Sequence, residues 1–173
     1  QTAVVSVLVG GRFLIAAIAL FIGSSKARAA LRERELWGGG TVLGLILLVG
    51  FTTQMVGIDT ISPSTSAFLT SLYVVFTAMI STKMTGQPVT RMMIVGVLLA
   101  TFGAGFIEGP PHLSWGKGEI LTVICAFFFA LHIIFTQSIT QRMDPLGVTI
   151  TSFIIVSIGS FVISVLMGGM DTF

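Results

Sequence analysis

Side chains with hydroxyl groups recur along one apolar stretch, from Ser64 to Ser81, at the spacing of a single helix face. They are separated by four, three, four and four residues: Ser66, Thr70, Tyr73, Thr77 and Ser81. At 100° per residue they fall within an arc of about 80°. Hydroxyls grouped in this way can exchange hydrogen bonds with a polar solute, or they can let a helix pack closely against its neighbours. The spacing leaves both interpretations open.

Two other polar side chains, Gln54 and His132, interrupt apolar stretches elsewhere in the chain. A glutamine amide cannot satisfy itself within its own helical turn, so in hydrocarbon it must bond a neighbouring helix or a solute. An intramembrane histidine can relay protons or contact a solute, although a lone histidine is more often neutral and bonded to a neighbour. The candidate pathway residues are therefore Gln54, Ser66, Thr70, Tyr73, Thr77 and His132.

No arrangement typical of catalysis is present in the sequence. It has no metal-spaced cluster of His and Cys, no phosphate-binding loop, no nucleophile elbow and no paired carboxylates at mid-span. We expect no enzyme activity, no cofactor and no metal, and the missing acid–base groups argue against a membrane-embedded enzyme. Carboxylates are expected at span ends, where water is available: Asp59, Glu108, Glu119 and Asp144.

The composition is that of a membrane protein. Of 173 residues, 54% are hydrophobic and 9% are charged, whereas a soluble domain carries about a quarter charged residues. The net charge of +2 is small, so no nucleic-acid partner is expected. A single cysteine excludes an internal disulfide.

Six stretches are apolar over about the 20 residues that a helix needs to cross the hydrocarbon core. Continuous apolar runs of this length favour helices over the strands of a barrel. The pairs Ser62-Pro63 and Asp144-Pro145 each place a capping side chain before a proline at the first helical position. The predicted spans are Ala3–Gly23, Gly38–Ile58, Ser64–Thr82, Val89–Ile107, Gly118–Ser138 and Leu146–Met167.

Lysine and arginine predict the orientation of these spans. If the spans alternate in direction, one side receives Lys26, Arg28, Arg32, Arg34, Lys83, Arg91 and Arg142. The other side receives Lys117, and Arg12 lies within the first span. The positive-inside rule makes the first side cytoplasmic and places Gln1 outside, so we expect one further span upstream. The charged segment Ser24–Trp37 is read as an ordinary loop that could also bind anionic lipid.

Small residues line one face of two further spans. The ridge in the fourth span predicts close helix packing and consists of Gly96, Ala100, Gly103 and Ala104. The sixth span carries an arc that we interpret first as packing and second as pathway, formed by Thr149, Ser157, Ser160 and Ser164.

Several segments resemble the EamA family of the drug/metabolite transporter superfamily. The resemblance is carried by small and apolar residues over nearly the whole chain. The matching segments are Arg12–Ala17, Ser66–Tyr73, Gly96–Gly105, Gly118–Leu121 and Ala126–Ile133. Two features depart from the family pattern: Gly86 is followed by Gln87 where Glu is frequent, and no proline lies between Ser64 and Thr85. Coupling or hinge roles tied to those family residues are therefore not carried over.

The resemblance implies an all-α integral membrane fold of ten helices in two inverted repeats, of which the six spans correspond to helices two to seven. Residues 1–109 would form the first repeat without its first helix, residues 110–117 the connecting loop, and residues 118–173 the first two helices of the second repeat. It also implies a multi-pass permease of the cytoplasmic membrane that moves small metabolites by alternating access, often exporting amino acids. A non-transporting membrane subunit is the alternative, and a homodimer is an open possibility.

Overall fold

The structure is a computed structural model that describes residues 2–85, 90–106 and 116–166. Within these ranges the regular structure is entirely α-helical. The helices are α1 (Thr2–Gly23), α2 (Ser25–Ala30), α3 (Arg34–Ile58), α4 (Pro63–Ser71), α5 (Tyr73–Thr85), α6 (Arg91–Phe106), α7 (Lys117–Thr140) and α8 (Pro145–Leu166).

Five of these segments are long and apolar enough to cross a membrane. They are Val4–Gly23, Arg34–Ile58, Pro63–Met84, Lys117–Thr140 and Pro145–Leu166. The remaining predicted span corresponds to α6, whose 16 described residues extend about 24 Å against a hydrocarbon core of about 30 Å. Its predicted ends, Val89 and Ile107, lie outside the described residues. The structure therefore supports five spans of the six expected.

The two capped proline starts are confirmed. Helix α4 begins at Pro63, and the Ser62 hydroxyl accepts a hydrogen bond from the Thr65 amide at 3.1 Å. Helix α8 begins at Pro145, and an Asp144 carboxylate oxygen accepts from the Gly147 amide at 2.9 Å. In both cases the capping oxygen satisfies a first-turn amide that has no partner within the helix.

The predicted span Ser64–Thr82 is interrupted at Leu72. Helix α4 ends one residue before Leu72, and α5 begins one residue after it. The Leu72 amide donates to the Leu69 carbonyl, three residues back rather than four, at 3.2 Å. Such a tightened turn locally changes the helix path. The interruption falls between Thr70 and Tyr73, so it divides the hydroxyl stripe into two halves.

The charged loop after α1 is anchored by its own side chains. The Arg28 guanidinium donates to the Phe21 and Ile22 carbonyls at 2.8 and 3.0 Å, which caps the end of α1. The Trp37 indole donates to the Leu31 carbonyl at 3.0 Å. These bonds satisfy helix-end carbonyls that would otherwise lack partners, so at least part of the loop's charge is structural.

The chain folds into two compact units, whose boundaries fall within α3 and α7. The first unit contains Gln1–Leu48 and Phe135–Phe173, and its described helices include α1, α2 and α8. One hydrophobic cluster joins Leu36, Leu43 and Val148. A second cluster joins Ala17, Ala27 and Ile150. Because these residues come from distant parts of the sequence, the clusters hold α1, α2 and the first half of α3 against α8.

Small residues bring the helices of the first unit into close approach. A Cβ atom added to Gly40 would collide with the Thr151 side chain, and one added to Gly44 would lie 2.7 Å from the Ile155 Cβ. The Ser157 hydroxyl, which is buried, donates to the Gly10 carbonyl at 3.0 Å. Ser157 therefore packs α8 against α1, as expected for the arc of hydroxyls in this span.

Candidate functional site

The second unit, Val49–Ile134, contains every predicted pathway residue. Two glycines let α3 approach α7 within it. A Cβ added to Gly50 would lie 2.7 Å from the Phe129 ring, and one added to Gly57 would lie 2.8 Å from the Thr122 hydroxyl. The Phe51 and Phe129 rings also meet edge to face, with centroids 5.3 Å apart. These contacts fix the turn of α3 that carries Gln54.

Gln54 and Thr70 are brought together by the fold. The Gln54 amide nitrogen donates to the Thr70 hydroxyl at 3.2 Å, which links α3 to α4. Both side chains are half-buried. The sequence left two roles open for Gln54, a bond to a neighbouring helix and contact with a solute. The structure shows the bond to a neighbouring helix. This bond also aligns the N-terminal half of the hydroxyl stripe with α3.

The strength of this bond can be measured with a double-mutant cycle. We expect Gln54→Leu and Thr70→Val to be coupled by about 0.6 kcal/mol, the average for hydrogen bonds between membrane helices. The free energies of unfolding of the two single variants and the double variant in detergent would give the coupling. Thr53→Val is the control, because the Thr53 hydroxyl donates within its own helix to the Val49 carbonyl. A Gln54–Thr70 coupling no larger than that of Gln54 with Thr53 would contradict the bond.

The N-terminal half of the stripe is packed rather than open. Ser66 is only 2% exposed, and Thr65 beside it is 3% exposed. Thr70 is half-buried and accepts the Gln54 bond. Three of the predicted pathway residues, Gln54, Ser66 and Thr70, therefore lie in helix contacts.

The C-terminal half of the stripe lines a groove. Tyr73, Thr77 and Ser81 of α5 form one wall of an open groove of about 400 Å³. The rest of the lining is apolar or small and consists of Val74, Ala78, Gly96 and Ile133. Two predicted pathway residues, Tyr73 and Thr77, are thus brought together here with Ser81, which belongs to the same stripe.

The hydroxyls in the groove differ in their hydrogen bonding. The Thr77 hydroxyl donates to the Tyr73 carbonyl at 2.7 Å, one turn back in the same helix. Among the described residues none forms a hydrogen bond with the hydroxyl of Tyr73, which is a half-buried residue. A phenol can both donate and accept. Tyr73 is therefore a residue of this wall whose hydroxyl has no partner among the described residues.

His132 is half-buried on α7 and is not one of the residues that line the groove. The next residue along the helix, Ile133, takes that position. No hydrogen bond to the His132 ring is present in the part of the chain that the structure describes. The structure therefore places His132 beside a groove-lining residue and leaves its suggested proton relay as a prediction.

One expectation about the carboxylates is wrong. Glu119 lies in the first turn of α7, as expected for a span end, but it is only 4% exposed. One of its carboxylate oxygens accepts a hydrogen bond from the Gly116 amide at 2.9 Å. The side chain folds back to cap the helix instead of extending into water. Asp59 and Asp144 are exposed as expected, and Glu108 lies outside the described residues.

Sequence reasoning missed the apolar part of the groove. Val74 and Ala78 directly follow Tyr73 and Thr77, so they share the edge of the stripe, and this adjacency could have identified them. Gly96 was assigned to a packing ridge. However, a Cβ added to Gly96 or Gly103 would meet nothing within 4 Å, so no described residue packs closely against these two positions. At Gly96 the missing side chain instead leaves room for the groove.

Five apolar helices of spanning length define a multi-pass membrane protein. The model of the EamA-like transporter family matches residues 3–108. An uncharacterized transporter of Archaeoglobus fulgidus is 31% identical over 106 residues, which cover 61% of this chain and 34% of that protein. No solved structure matches the chain. The chain therefore belongs to the EamA-like transporter family, and it spans about a third of the length of this curated relative.

Proposed function

We propose that the protein carries a small organic metabolite, amino-acid-like or of similar size, across the cytoplasmic membrane by alternating access. In this proposal the described helices correspond to helices two to seven of a ten-helix inverted-repeat fold, with α6 as the fourth of the six spans of the chain. The first repeat covers residues 1–109 and the second begins near Gly118. The family match, which ends at residue 108, supports this boundary. Carriers of this kind bind their solute between repeats near mid-membrane.

The groove beside α5 is the observation that carries the proposal. Hydroxyls in a membrane helix are tolerated where they pack against other helices or meet water and solute. Tyr73, Thr77 and Ser81 border about 400 Å³ of open space, which supports contact with water and solute on this half of the stripe. We propose this half as the solute-contacting wall. Gln54, Ser66 and Thr70 would set its position, and His132 would stand next to it on α7.

The charge distribution predicts on which side of the membrane the groove lies. If the positive-inside rule sets the orientation, the loops with Arg28, Lys83 and Arg142 face the cytoplasm. Since α5 ends next to Lys83, the groove half of the stripe then lies in the cytoplasmic half of the span. Export, which the family resemblance favours, would then load the solute from this cytoplasmic side.

Labelling of intact cells tests the orientation. Cysteines placed at Arg28, Lys83 and Arg142 should resist a membrane-impermeant thiol reagent added outside, and they should react once the membrane is permeabilised. A cysteine at Lys117 is the matched control and should react without permeabilisation. Rapid labelling of Arg28→Cys in intact cells would reverse the orientation.

The alternative function is a non-transporting membrane subunit whose polar faces only pack. The buried Ser66 and the Gln54–Thr70 bond favour packing for one half of the stripe. A flux assay separates the two functions. Vesicles containing the natural protein, loaded with amino acids and other small metabolites, should lose one or a few solutes faster than protein-free vesicles. Identical losses from both would favour the subunit.

A further inference from the structure

Among the residues that the structure describes, no side chain that lines the α5 groove carries a charge. The described lining consists of three hydroxyl residues, three aliphatic residues and one glycine: Tyr73, Thr77, Ser81, Val74, Ala78, Ile133 and Gly96. An ionised group that enters an apolar site is strongly disfavoured unless an opposite charge or several hydrogen bonds replace its water. This lining supplies no opposite charge. It therefore favours an uncharged ligand group over a carboxylate or an ammonium.

Among the described lining residues, the side chain with a hydroxyl proton still available to a ligand is Tyr73. The Thr77 proton is already donated to the Tyr73 carbonyl, and Ser81 takes part in an interaction of its own. The Tyr73 hydroxyl is left to serve a ligand as donor or acceptor. A saturated acyl chain could fill the aliphatic part of the groove, but it would leave this phenol unpaired at a cost. An apolar group with one neutral polar atom would both fill the aliphatic part of the groove and form a hydrogen bond with the Tyr73 hydroxyl.

We propose that the groove binds an uncharged apolar group of the ligand, with a single neutral polar atom hydrogen-bonded to the Tyr73 hydroxyl. The apolar part lies against Val74, Ala78 and Ile133, and the space beside Gly96 admits its bulk. Any charged part of the same molecule stays outside the groove. The statement that this group belongs to a transported solute rests on the proposed function. The statement about which chemistry the groove accepts does not rest on it.

Three probes that share a ring and differ in charge test the proposal: benzyl alcohol, benzoate and benzylammonium. Ala78→Cys in the purified natural protein would report occupancy through its rate of modification by a small uncharged thiol reagent. Cys125 is buried, so the parent protein serves as the blank. Lys83→Cys is the matched control, because Lys83 lies in the last turn of the same helix, is exposed and is not part of the groove lining.

We expect benzyl alcohol to slow modification of Ala78→Cys by about threefold at twice its dissociation constant. Benzoate and benzylammonium at the same concentration should slow it less, and the modification of Lys83→Cys should be unaffected. Adding Tyr73→Phe to Ala78→Cys should remove most of the benzyl alcohol effect, because the hydrogen-bond partner is lost.

Other results would overturn the proposal. Stronger protection by either ion would mean that the groove accepts charge. Equal protection at Lys83→Cys would mean that the effect is not specific to the groove. No protection by any probe would mean that the groove binds no such group. Protection unchanged by Tyr73→Phe would assign the groove to a purely apolar occupant such as a lipid chain. If the probes protect Ala78→Cys as expected but the protein moves no solute, this inference is supported and the proposed function is contradicted.

Discussion

Replacing Gly40 with alanine is expected to destabilise the protein by about 1–3 kcal/mol, the usual cost of overpacking a well-packed site. The added Cβ would collide with the Thr151 side chain and lie 3.0 Å from the Ser152 amide nitrogen. Thr151 cannot turn away freely, because its hydroxyl donates to the Gly147 and Val148 carbonyls of its own helix. The strain must therefore separate α3 from α8. The midpoint of thermal unfolding in detergent would measure the loss.

Gly38→Ala is the matched control for this prediction. Gly38 lies two residues away in the same helix, and a Cβ there meets nothing within 4 Å. Because alanine favours a helix over glycine by about 1 kcal/mol, Gly38→Ala should leave the unfolding midpoint unchanged or raise it. Equal midpoints for the two variants would contradict the close approach of α3 and α8.

Filling the groove is expected to have the largest effect on transport. In Gly96→Leu, the first atom of the new side chain meets nothing within 4 Å, and the remaining atoms can enter the groove that Gly96 borders. If they displace solute at a cost of about 1.4 kcal/mol, flux at low solute concentration falls about tenfold. Initial rates of vesicle flux, normalised to folded protein, would measure this for the solute found in the flux assay.

Gly103→Leu supplies the comparison for Gly96→Leu. Gly103 lies seven residues further along α6, a Cβ there also meets nothing within 4 Å, and it does not line the groove. Both variants add the same apolar volume to the same helix. We therefore expect flux to be retained in Gly103→Leu. Equal flux in the two variants would show that the groove is not part of the solute pathway.

The helix starts were predictable because their determinants are local. Ser62-Pro63 and Asp144-Pro145 combine a side-chain acceptor with a residue that lacks an amide proton, and these properties do not depend on distant contacts. The apolar runs were predictable for a related reason, since a backbone in hydrocarbon must satisfy its hydrogen bonds within each segment. These two constraints located the five helices of spanning length.

The interruption at Leu72 could not be predicted, because no proline or glycine marks it and the pattern around it is continuously helical. The partner of Gln54 and the burial of Glu119 depend on which groups the fold brings near. Gly96 illustrates the same limit. A glycine predicts equally well a close helix contact or space for a ligand, and only the neighbouring helices decide between them.

The hydroxyl periodicity predicted one continuous polar face, but only the second half of that face borders the groove. Ser66 and Thr70 have the same spacing as Tyr73 and Thr77, but the first pair lies in helix contacts and the second pair borders open space. The difference arises from neighbouring helices and from the interruption between the pairs. The sequence thus predicts which residues share a helix face, but it does not predict which neighbouring helices cover that face.

Cysteine scanning of α5 with a small uncharged, water-soluble thiol reagent is the most direct test that this helix lines a solute pathway. We predict modification at Tyr73, Thr77 and Ser81, slowed by the transported solute, and none at Leu72, Val75 and Met79, which lie off the groove lining. A thiol that faces water ionises and reacts, whereas one in lipid or in a close helix contact does not. No modification at any of the six positions, or modification without this alternation, would contradict the claim that α5 lines a solute pathway.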